Sequence, residues 1–527
     1  MSMRIRSRLV VLLLVGIAPL VAACVVLVSK GTTIESLNKA TLPVTVRSSV
    51  KAHLIDGSTI VYPDGIVVDA GSLIPRNTAT RYSALLTPMS GVEVPLDSVI
   101  GLESYTTRTN TGASLVLSTL GTAGVVVLTA AAAVVAFGSC PTIYADSAGT
   151  PVLQAEVFAT RVSPLLEARD IDLLGARPDS AGLLTLEVRN EALETHYINH
   201  LELLEIRHAV GQRLIPDEHG RPLLVPSDGF RAPGSARDRA GRDLRATFQR
   251  VDGDVFSTDS TTLARASGDD PYDYVDIAVA RPSGDSAVVG LALRNSLLNT
   301  VLLYDMMLAA PGARSLDWLA QDMQRIGPML RFGRWYREHF GLRVSVWDGT
   351  RYREIERHPT YGPVAWREAS TVVPVLERDS LRMRLRFAAD EWRIDWIGVA
   401  DQFRRPRTRT IPIDRVRGES GGDSIATLTK RNLRSADERY VQTGPGERFW
   451  VSFATGVAPR DSTRTFLLAS QGYYSEWVRA SWVRNASDTV KFTPSAGALD
   501  RTLRRWNTQR DSVARAFYAT KIPMRTP

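Results

Sequence analysis

The sequence predicts a mainly β protein: a small N-terminal β unit, a transmembrane helix, then tandem β-sandwich modules with two amphipathic helices. Three observations carry this reading. Residues 9–28 and 112–137 are free of charge and long enough to cross about 30 Å of hydrocarbon. Alternating apolar and polar runs, joined by Asp-Gly and similar turns, fill much of the rest. From residue 138 onward a pattern of Asp-Ser, alternating strand, polar connection and second apolar run recurs. At 527 residues the chain exceeds one ordinary core, and its 44% apolar and 23% charged content is that of a folded protein. The net charge of +8 comes almost wholly from arginine spread along the chain, which reads as compositional habit more than as a phosphate-binding surface. Cys24 and Cys140 are the only cysteines, so a disulfide framework and a multi-cysteine zinc site are excluded.

Residues 1–28 form a signal peptide or membrane anchor. Arg4, Arg6 and Arg8 precede the apolar run, and small residues lead into Cys24, the layout of an export signal. Val21-Ala22-Ala23-Cys24 also resembles the lipobox of bacterial lipoproteins, which implies that Cys24 is the lipidation site. Residues 25–28 stay apolar where a mature lipoprotein turns polar, so an uncleaved anchor stands beside the acylated cysteine.

Residues 46–110 are expected to be a small β-barrel domain. Val50 to Leu54 runs into Asp56-Gly57-Ser58, Thr59 to Tyr62 into Asp64-Gly65, and Val99 to Leu102 follows Pro95-Leu96-Asp97. The layout resembles SH3-like and Sm-like barrels, and no nucleotide-binding residue carries over. Residues 112–137 then read as a transmembrane helix with a small-residue face at Gly121, Gly124, Ser114, Ser118 and Thr122. A buried alanine-rich helix is the alternative. The two topology cues conflict. The N-terminal arginines put residues 30–110 outside, so a second crossing returns the C-terminal region to the cytoplasm. Arg108 before that segment and Asp146 after it point the other way, and the C-terminal region is read as extracytoplasmic.

The remainder divides into β-sandwich module 1 (138–230), a linker (231–270), module 2 (271–410) with a helix over 315–340, β module 3 (411–498) and a C-terminal helix (499–520). The repeat supports the modules. Leu184, Leu186 and Val188 lead to Arg189-Asn190 and a run over 197–204; Val289, Leu291 and Leu293 lead to Arg294-Asn295 and a run over 302–308. A looser copy has Leu381, Met383, Leu385 and Phe387 before a run over 392–397, and residues 465–469 with 472–474 suggest a fourth. Each copy reads as a hairpin of a sandwich. In the first helix Leu316, Leu319, Met323, Ile326 and Leu330 keep helical spacing, with Pro328 expected to kink or restart it and Gly341 to end it. The second buries Leu503, Trp506, Val513 and Phe517 and is expected to dock on the last sheet.

Gly138-Ser139-Cys140-Pro141-Thr142-Ile143-Tyr144 and Glu194-Thr195-His196-Tyr197-Ile198-Asn199-His200-Leu201 resemble a β-rich region of uncharacterised bacterial envelope lipoproteins, and distantly the region trailing ASPIC/UnbV-type proteins. That resemblance implies an envelope location and no activity.

Each catalytic or ligand constellation meets a chemical objection. Gly418-Glu419-Ser420-Gly421-Gly422 matches the G-x-S-x-G elbow, but no histidine follows His358 to take the serine proton, and Gly421-Gly422-Asp423 starts a helix poorly. His196 and His200, with His208 nearby, are the metal candidates. Their four-residue spacing puts them on one face in helix or strand, while the repeat aligns them with Val301 and Asp305, which argues against a ligand role. Asp269, Asp270, Asp273 and Asp276 lack the D-x-D-x-D-G calcium loop. Arg404, Arg405, Arg407 and Arg409 surround Pro406 and read as a linker, not a nucleic-acid surface. The reading is a non-enzymatic, membrane-anchored cell-envelope protein with a binding or assembly role and no cofactor or metal. Its partners are the membrane and other envelope proteins or glycans, not nucleic acid. The competing classes are a surface enzyme using dispersed carboxylates such as Asp317 and Asp322 on glycans or peptides, and a carbohydrate binder using a row of Trp335, Trp347, Trp366 and Trp392.

Overall fold

The computed structural model describes residues 43–69, 71–82, 86–90, 93–105, 140–266, 270–418, 423–457, 463–487, 491–519 and 521–524. Both apolar segments, 9–28 and 112–137, lie outside the described residues, as do Cys24, Asp269 and Ser420. Among the described residues no helix is long and apolar enough to cross a membrane. The chain is mainly β, with several sheets and a helical layer.

The predicted strands form, but their partners are not their neighbours in sequence. One five-stranded sheet runs Thr150–Glu156, Thr142–Ser147, Leu183–Arg189, Arg448–Ala454, Arg415–Gly418. A second runs Ala168–Leu174, Thr463–Glu476, Glu194–His208, Arg409–Ile411. They share one core, in which Leu184, Leu186, Val188, Val451 and Phe453 meet Ile198, Leu201, Leu203, Phe466 and Leu468. The expected modules 138–230 and 411–498 are therefore not separate: Leu183 pairs with Ala454 and Arg189 with Arg448 along one ladder. Periodicity reports the face a residue occupies, not the strand it bonds to.

A second sandwich holds Ser235–Asp238, Tyr272–Ala280, Ser380–Ala388, Leu342–Trp347 and Tyr352–His358 in one sheet, and Arg367–Pro374, Ser286–Asn295 and Trp392–Ala400 in the other. The expected linker 231–270 belongs to it. Residues 235–238 pair with the strand Tyr272–Ala280, and Phe248 and Phe256 enter the core.

In its first and third copies the repeat is a corner between sheets, not a hairpin, and in the second the strand leads into a helix. Leu183–Arg189 and Glu194–His208 lie in facing sheets, as do Ser380–Ala388 and Trp392–Ala400. A chain turning between sheets leaves backbone groups unpaired, and a buried polar side chain takes them up. Asn190 Nδ2 donates to the carbonyls of Glu194 and Thr443 at 2.9 Å each. In the second copy Asn295 Oδ1 accepts from the Tyr361 N–H at 2.6 Å. The expected strand over 302–308 is instead helical, since Leu298–Thr300 and a π-helix Val301–Ala309 occupy it. An apolar run this short is ambiguous between strand and buried helix, and burial of Val301, Leu302, Tyr304, Met307 and Leu308 decides it. The suggested fourth hairpin is one strand, Thr463–Glu476, in which Gly472 leaves room for the Phe158 ring.

Between the sandwiches sits the hairpin Gln212–Pro216 with Pro222–Pro226. Its alternate residues face opposite ways. Leu214 and Leu224 pack on Leu204, Ile206, Leu467 and Ala469 of the first sandwich, and Ile215, Leu223 and Val225 on Val288, Ala292, Trp396 and Ala400 of the second.

The helix expected over 315–340 is three pieces, Arg314–Ala320, a 3-10 turn Asp322–Gln324 and Ile326–His339. Pro328 falls in the first turn of the last piece, where a missing N–H costs nothing, so the chain restarts rather than kinks there. The C-terminal helix Ala496–Ala519 buries Leu499, Leu503, Trp506, Val513 and Phe517. It docks on helices rather than on the last sheet, with Arg505 Nε donating to Asp305 at 2.6 Å.

Residues 43–105 make two sheets, Val44–Val46, Ile66–Asp69, Ser72–Pro75, Val94–Pro95, and Leu86–Ser90, Thr78–Tyr82, Thr59–Tyr62, Ser49–Leu54, Val99–Tyr105. The second is extended at its edge by Val478–Arg479, with Leu102 opposite Val478 and Gly101 opposite Arg479. Trp477 packs on Gly101, where a Cβ would come within 2.9 Å of the Trp477 Cβ and 3.3 Å of its indole. The N-terminal unit thus shares a sheet with the C-terminal region.

Candidate functional site

His196 and His200 do not face each other. A bulge between Ile198 and His200 in the pairing of Glu194–His208 with Thr463–Glu476 shifts the alternation by one residue. Ile198 before it and Leu201 and Leu203 after it line the same core, so His196 lies on that face and His200 on the opposite one. His196 is fully buried with Nε2 2.6 Å from Glu194 Oε1, and burial holds it down at about 3. His200 Nδ1 bonds the Leu433 carbonyl at 3.0 Å. The expectation that spacing alone puts the pair on one face fails because one inserted residue flips a strand. His208 is occupied by Thr465 Oγ1 at 2.8 Å and the Ala209 carbonyl at 3.1 Å.

The other sequence candidates also disperse. Strand Arg415–Gly418 and helix Asp423–Asn432 flank the G-x-S-x-G stretch, so a helix does start there. His200 contacts the far end of that helix, about 15 Å of helical rise from its start. Asp270 pairs with Arg239 at 2.9 Å, Asp273 accepts from Thr258 Oγ1 at 2.7 Å, and Asp276 takes Arg384 on both oxygens. Asp317 accepts from the Ser48 N–H at 3.0 Å and its hydroxyl at 2.6 Å, and Asp322 pairs with Lys491 at 2.6 Å. Trp335 and Trp392 are buried, whereas Trp366 is 42% exposed, so the four tryptophans form no exposed row. Arg405 and Arg409 of the basic run reach Asp217 and Glu205 at 3.3 and 3.0 Å, and the run straps the interdomain hairpin to the first sandwich.

Three polar clusters have no linear signature. At the seam of the two sandwiches Arg367 reaches Asp170 at 3.0 Å and Asp172 at 3.3 Å, with its guanidinium 4.3 Å from the Tyr361 ring centre. Burial drives Asp172 up to about 8. It also pushes on Asp170, but there the Arg367 charge overcomes it and the carboxyl ends below its usual range. Beside it Glu156 accepts from Cys140 Sγ at 2.9 Å and the Val364 N–H at 2.7 Å. Glu156, Asp172, Tyr361 and Arg367 line, with Trp366, a cavity of about 20 Å³, room for one water molecule.

A second cluster lies where the N-terminal unit joins. Glu103, almost fully buried, accepts from Lys51 at 3.4 Å, His53 Nε2 at 3.3 Å and the Tyr197 hydroxyl at 3.1 Å. Burial opposes ionisation, but the Lys51 charge and the His53 bond bring Glu103 down to about 2. One ladder away Glu194 faces Glu476, both buried, with the Arg479 guanidinium 4.0 Å from the Trp482 ring centre. Burial raises Glu194 to about 8 and Glu476 well above its ordinary value.

The third is Glu218, His219 and Glu356, whose ligand atoms lie within 4.8 Å of one another. Two carboxylates and an imidazole are donors a zinc-like ion accepts. Burial, with Asp217 and Glu356 adding repulsion, lifts Glu218 to about 7, and Arg221 stands 3.7 Å from it. Two of these residues are adjacent in a hairpin turn and the third lies on the strand Tyr352–His358, so no spacing in the sequence joins them.

An open groove of about 480 Å³ lies at the start of helix Ile326–His339. Asp322, Arg325, Ile326, Pro328, Arg331 and Lys491 line it. It is polar, basic and shallow, the form of a contact surface rather than a small-molecule pocket.

No protein family and no curated protein matches the chain. Among solved structures, a GH31 alpha-xylosidase from Xanthomonas citri aligns at 9% identity and a TM-score of 0.15, over 82% of this chain and 38% of that one. The chain thus spans well under half of that enzyme. Sulfolobus Turreted Icosahedral Virus aligns at 6% identity and TM-score 0.13, over 64% and 89% of the two chains. Infectious bursal disease virus Gt strain gives 12%, 0.13, 72% and 87%. Likeness at this level assigns neither fold family nor activity.

Proposed function

We propose that the chain is a membrane-anchored protein of the cell envelope whose β sandwiches serve binding or assembly with other envelope proteins or glycans, without catalysis. The described residues all lie on one side of that membrane. The observation that supports this is the pairing of Leu102 with Val478 and of Gly101 with Arg479. The Asp317 bonds to Ser48 and the Tyr197 bond to Glu103 strengthen it. A single crossing between Tyr105 and Cys140 would hold these partners on opposite faces of about 30 Å of hydrocarbon. One shared side is therefore proposed against the topology expected from two successive crossings. Arg4, Arg6 and Arg8 keep the N-terminus in the cytoplasm and leave the body outside it. A seam cavity that admits only water suits a scaffold better than a small-molecule enzyme.

Single cysteines at Ile55 and Val210, both exposed, test this with a membrane-impermeant maleimide on intact spheroplasts. Both positions are expected to label before lysis. Labelling of one before lysis and the other only after it defeats the shared side. Labelling of both only after lysis defeats the extracytoplasmic placement.

A further inference from the structure

The helix Ile326–His339 buries Met329 and Trp335 and turns its other face outward. On that face Ile326 is 70% and Leu330 59% exposed, an unusual cost for two large apolar side chains on one turn of helix. Around them Arg325, Arg331, Arg334 and Arg337 are exposed, and among the described residues none of these four guanidinium groups has a carboxylate partner. Asp322, the nearest acid in the groove, is already paired with Lys491. Glu338 is the one acid exposed on this helix. Apolar side chains ringed by unpaired arginines are what a helix presents when it lies on an anionic lipid surface.

The N-terminal strand of the described chain lies beside the segment that leads into this helix. Strand Val44–Val46 packs on the helix Arg314–Ala320, and Gln321 Nε2 donates to Ser48 Oγ at 3.1 Å, five residues before Ile326. Ser49 is paired with Tyr105. The chain leading back to the apolar residues 9–28 departs from the same end at residue 43.

We infer that the exposed face of helix Ile326–His339 docks on the anionic headgroup layer of the membrane in which the chain is anchored, with Ile326 and Leu330 entering the interface and Arg325, Arg331 and Arg334 contacting phosphates. This rests on the anchoring proposed above. A polybasic contact of this kind strengthens with each arginine by about fivefold and weakens with salt. It fixes the tilt of the body relative to the bilayer.

The full-length protein, reconstituted in vesicles of phosphatidylcholine alone or with 30% phosphatidylglycerol, is followed by hydrogen exchange at about 0.1 M salt. Amides of residues 326–337 are expected to exchange at least about tenfold more slowly on the anionic vesicles, given three arginines at the surface. R325E/R331E/R334E should remove that slowing, and I326S/L330S should reduce it, with exchange elsewhere unchanged. Equal exchange on both vesicles, or slowing that survives the charge reversal, overturns the docking. Slowing that tracks protein density rather than lipid charge assigns the face to a second copy and also overturns it. Anchoring is read separately, from retention on the vesicles after a carbonate wash; its loss sinks the anchor, not merely the docking.

Discussion

The His53 ring lies flat on the Trp477 indole, with centroids 3.7 Å apart and planes 4° from parallel. These residues belong to the first and last parts of the described chain, and the stack joins them beside the strand pairing at Gly101. Trp477 also donates from Nε1 to Thr195 Oγ1 at 3.0 Å. One side chain thereby touches the N-terminal unit and the first sandwich.

Trp477→Ala is expected to cost about 3–5 kcal/mol, the range for a large aromatic removed from a packed site. It should also free residues 43–105 for proteolysis before the rest unfolds. Trp477→Phe keeps a ring over His53 but loses the Nε1 bond to Thr195, so its cost should be smaller than that of alanine and include roughly the 1 kcal/mol of one hydrogen bond. Equal protease resistance of wild type and the alanine variant argues against the join.

Stability should have a maximum on the acid side of neutrality. Glu194 and Glu476 are held neutral in the fold by burial, with Glu194 at about 8, so their contribution is complete below the unfolded carboxylate range. It is lost as pH rises toward 8, because the unfolded chain ionises first. Glu103, held at about 2, works in the opposite sense and its contribution disappears as pH falls below about 4. Glu476→Gln keeps the shape but cannot ionise. Denaturation at pH 5 and pH 8 should show its slope flatter than wild type by on the order of 1–3 kcal/mol. An unchanged slope assigns the pH dependence elsewhere.

The strands were legible because alternation is a local property. Leu184, Leu186 and Val188 in one copy and Val289, Leu291 and Leu293 in another are buried as their spacing requires. Pairing was not legible, since nothing in residues 183–189 names residues 448–454 as their partner. The repeated Arg-Asn step was visible as a pattern, but its meaning as a buried polar link at the end of a strand, at Asn190 and Asn295, needed the fold. The same holds for the clusters: Glu218, His219 and Glu356, or Arg367 with Asp170 and Asp172, come from distant segments with ordinary spacing. The bulge that parts His196 from His200 leaves no mark in composition. The arginine-ringed face at Ile326 and Leu330 was half visible, because helical spacing shows in the sequence but the exposure of these two residues does not.

Arg367 links the two sandwiches through Asp170 and Asp172. Arg367→Ala leaves Asp170 charged and partly buried without its partner, and an expected cost of about 3 kcal/mol follows. Asp172→Asn at pH 7 should change stability by less than about 1 kcal/mol, because burial already keeps Asp172 protonated at that pH. Urea denaturation of both variants decides the point; equal losses would mean that Asp172 is ionised.

Cys24→Ala should abolish incorporation of a clickable fatty acid during growth. Labelling that persists in the variant rules out acylation at Cys24 and leaves residues 9–28 as a plain anchor.

Leu223 and Leu224 are consecutive residues that hold different sandwiches. Leu223 packs on Val288, Ala292, Trp396 and Ala400, and Leu224 on Leu204, Ile206, Leu467 and Ala469. Both are almost fully buried, so truncation of either to alanine is expected to cost about 2–5 kcal/mol. Because their side chains enter different clusters, the double variant should lose more than either single variant. Hydrogen exchange separates them: Leu223→Ala should loosen the strands Ser286–Asn295 and Trp392–Ala400, and Leu224→Ala the strands Glu194–His208 and Thr463–Glu476. If both variants loosen the same pair of strands, the hairpin is not a wedge between two faces but a flap on one. The expected split would make residues 212–226 the element that sets the angle between the sandwiches, since each side is held by its own row of side chains.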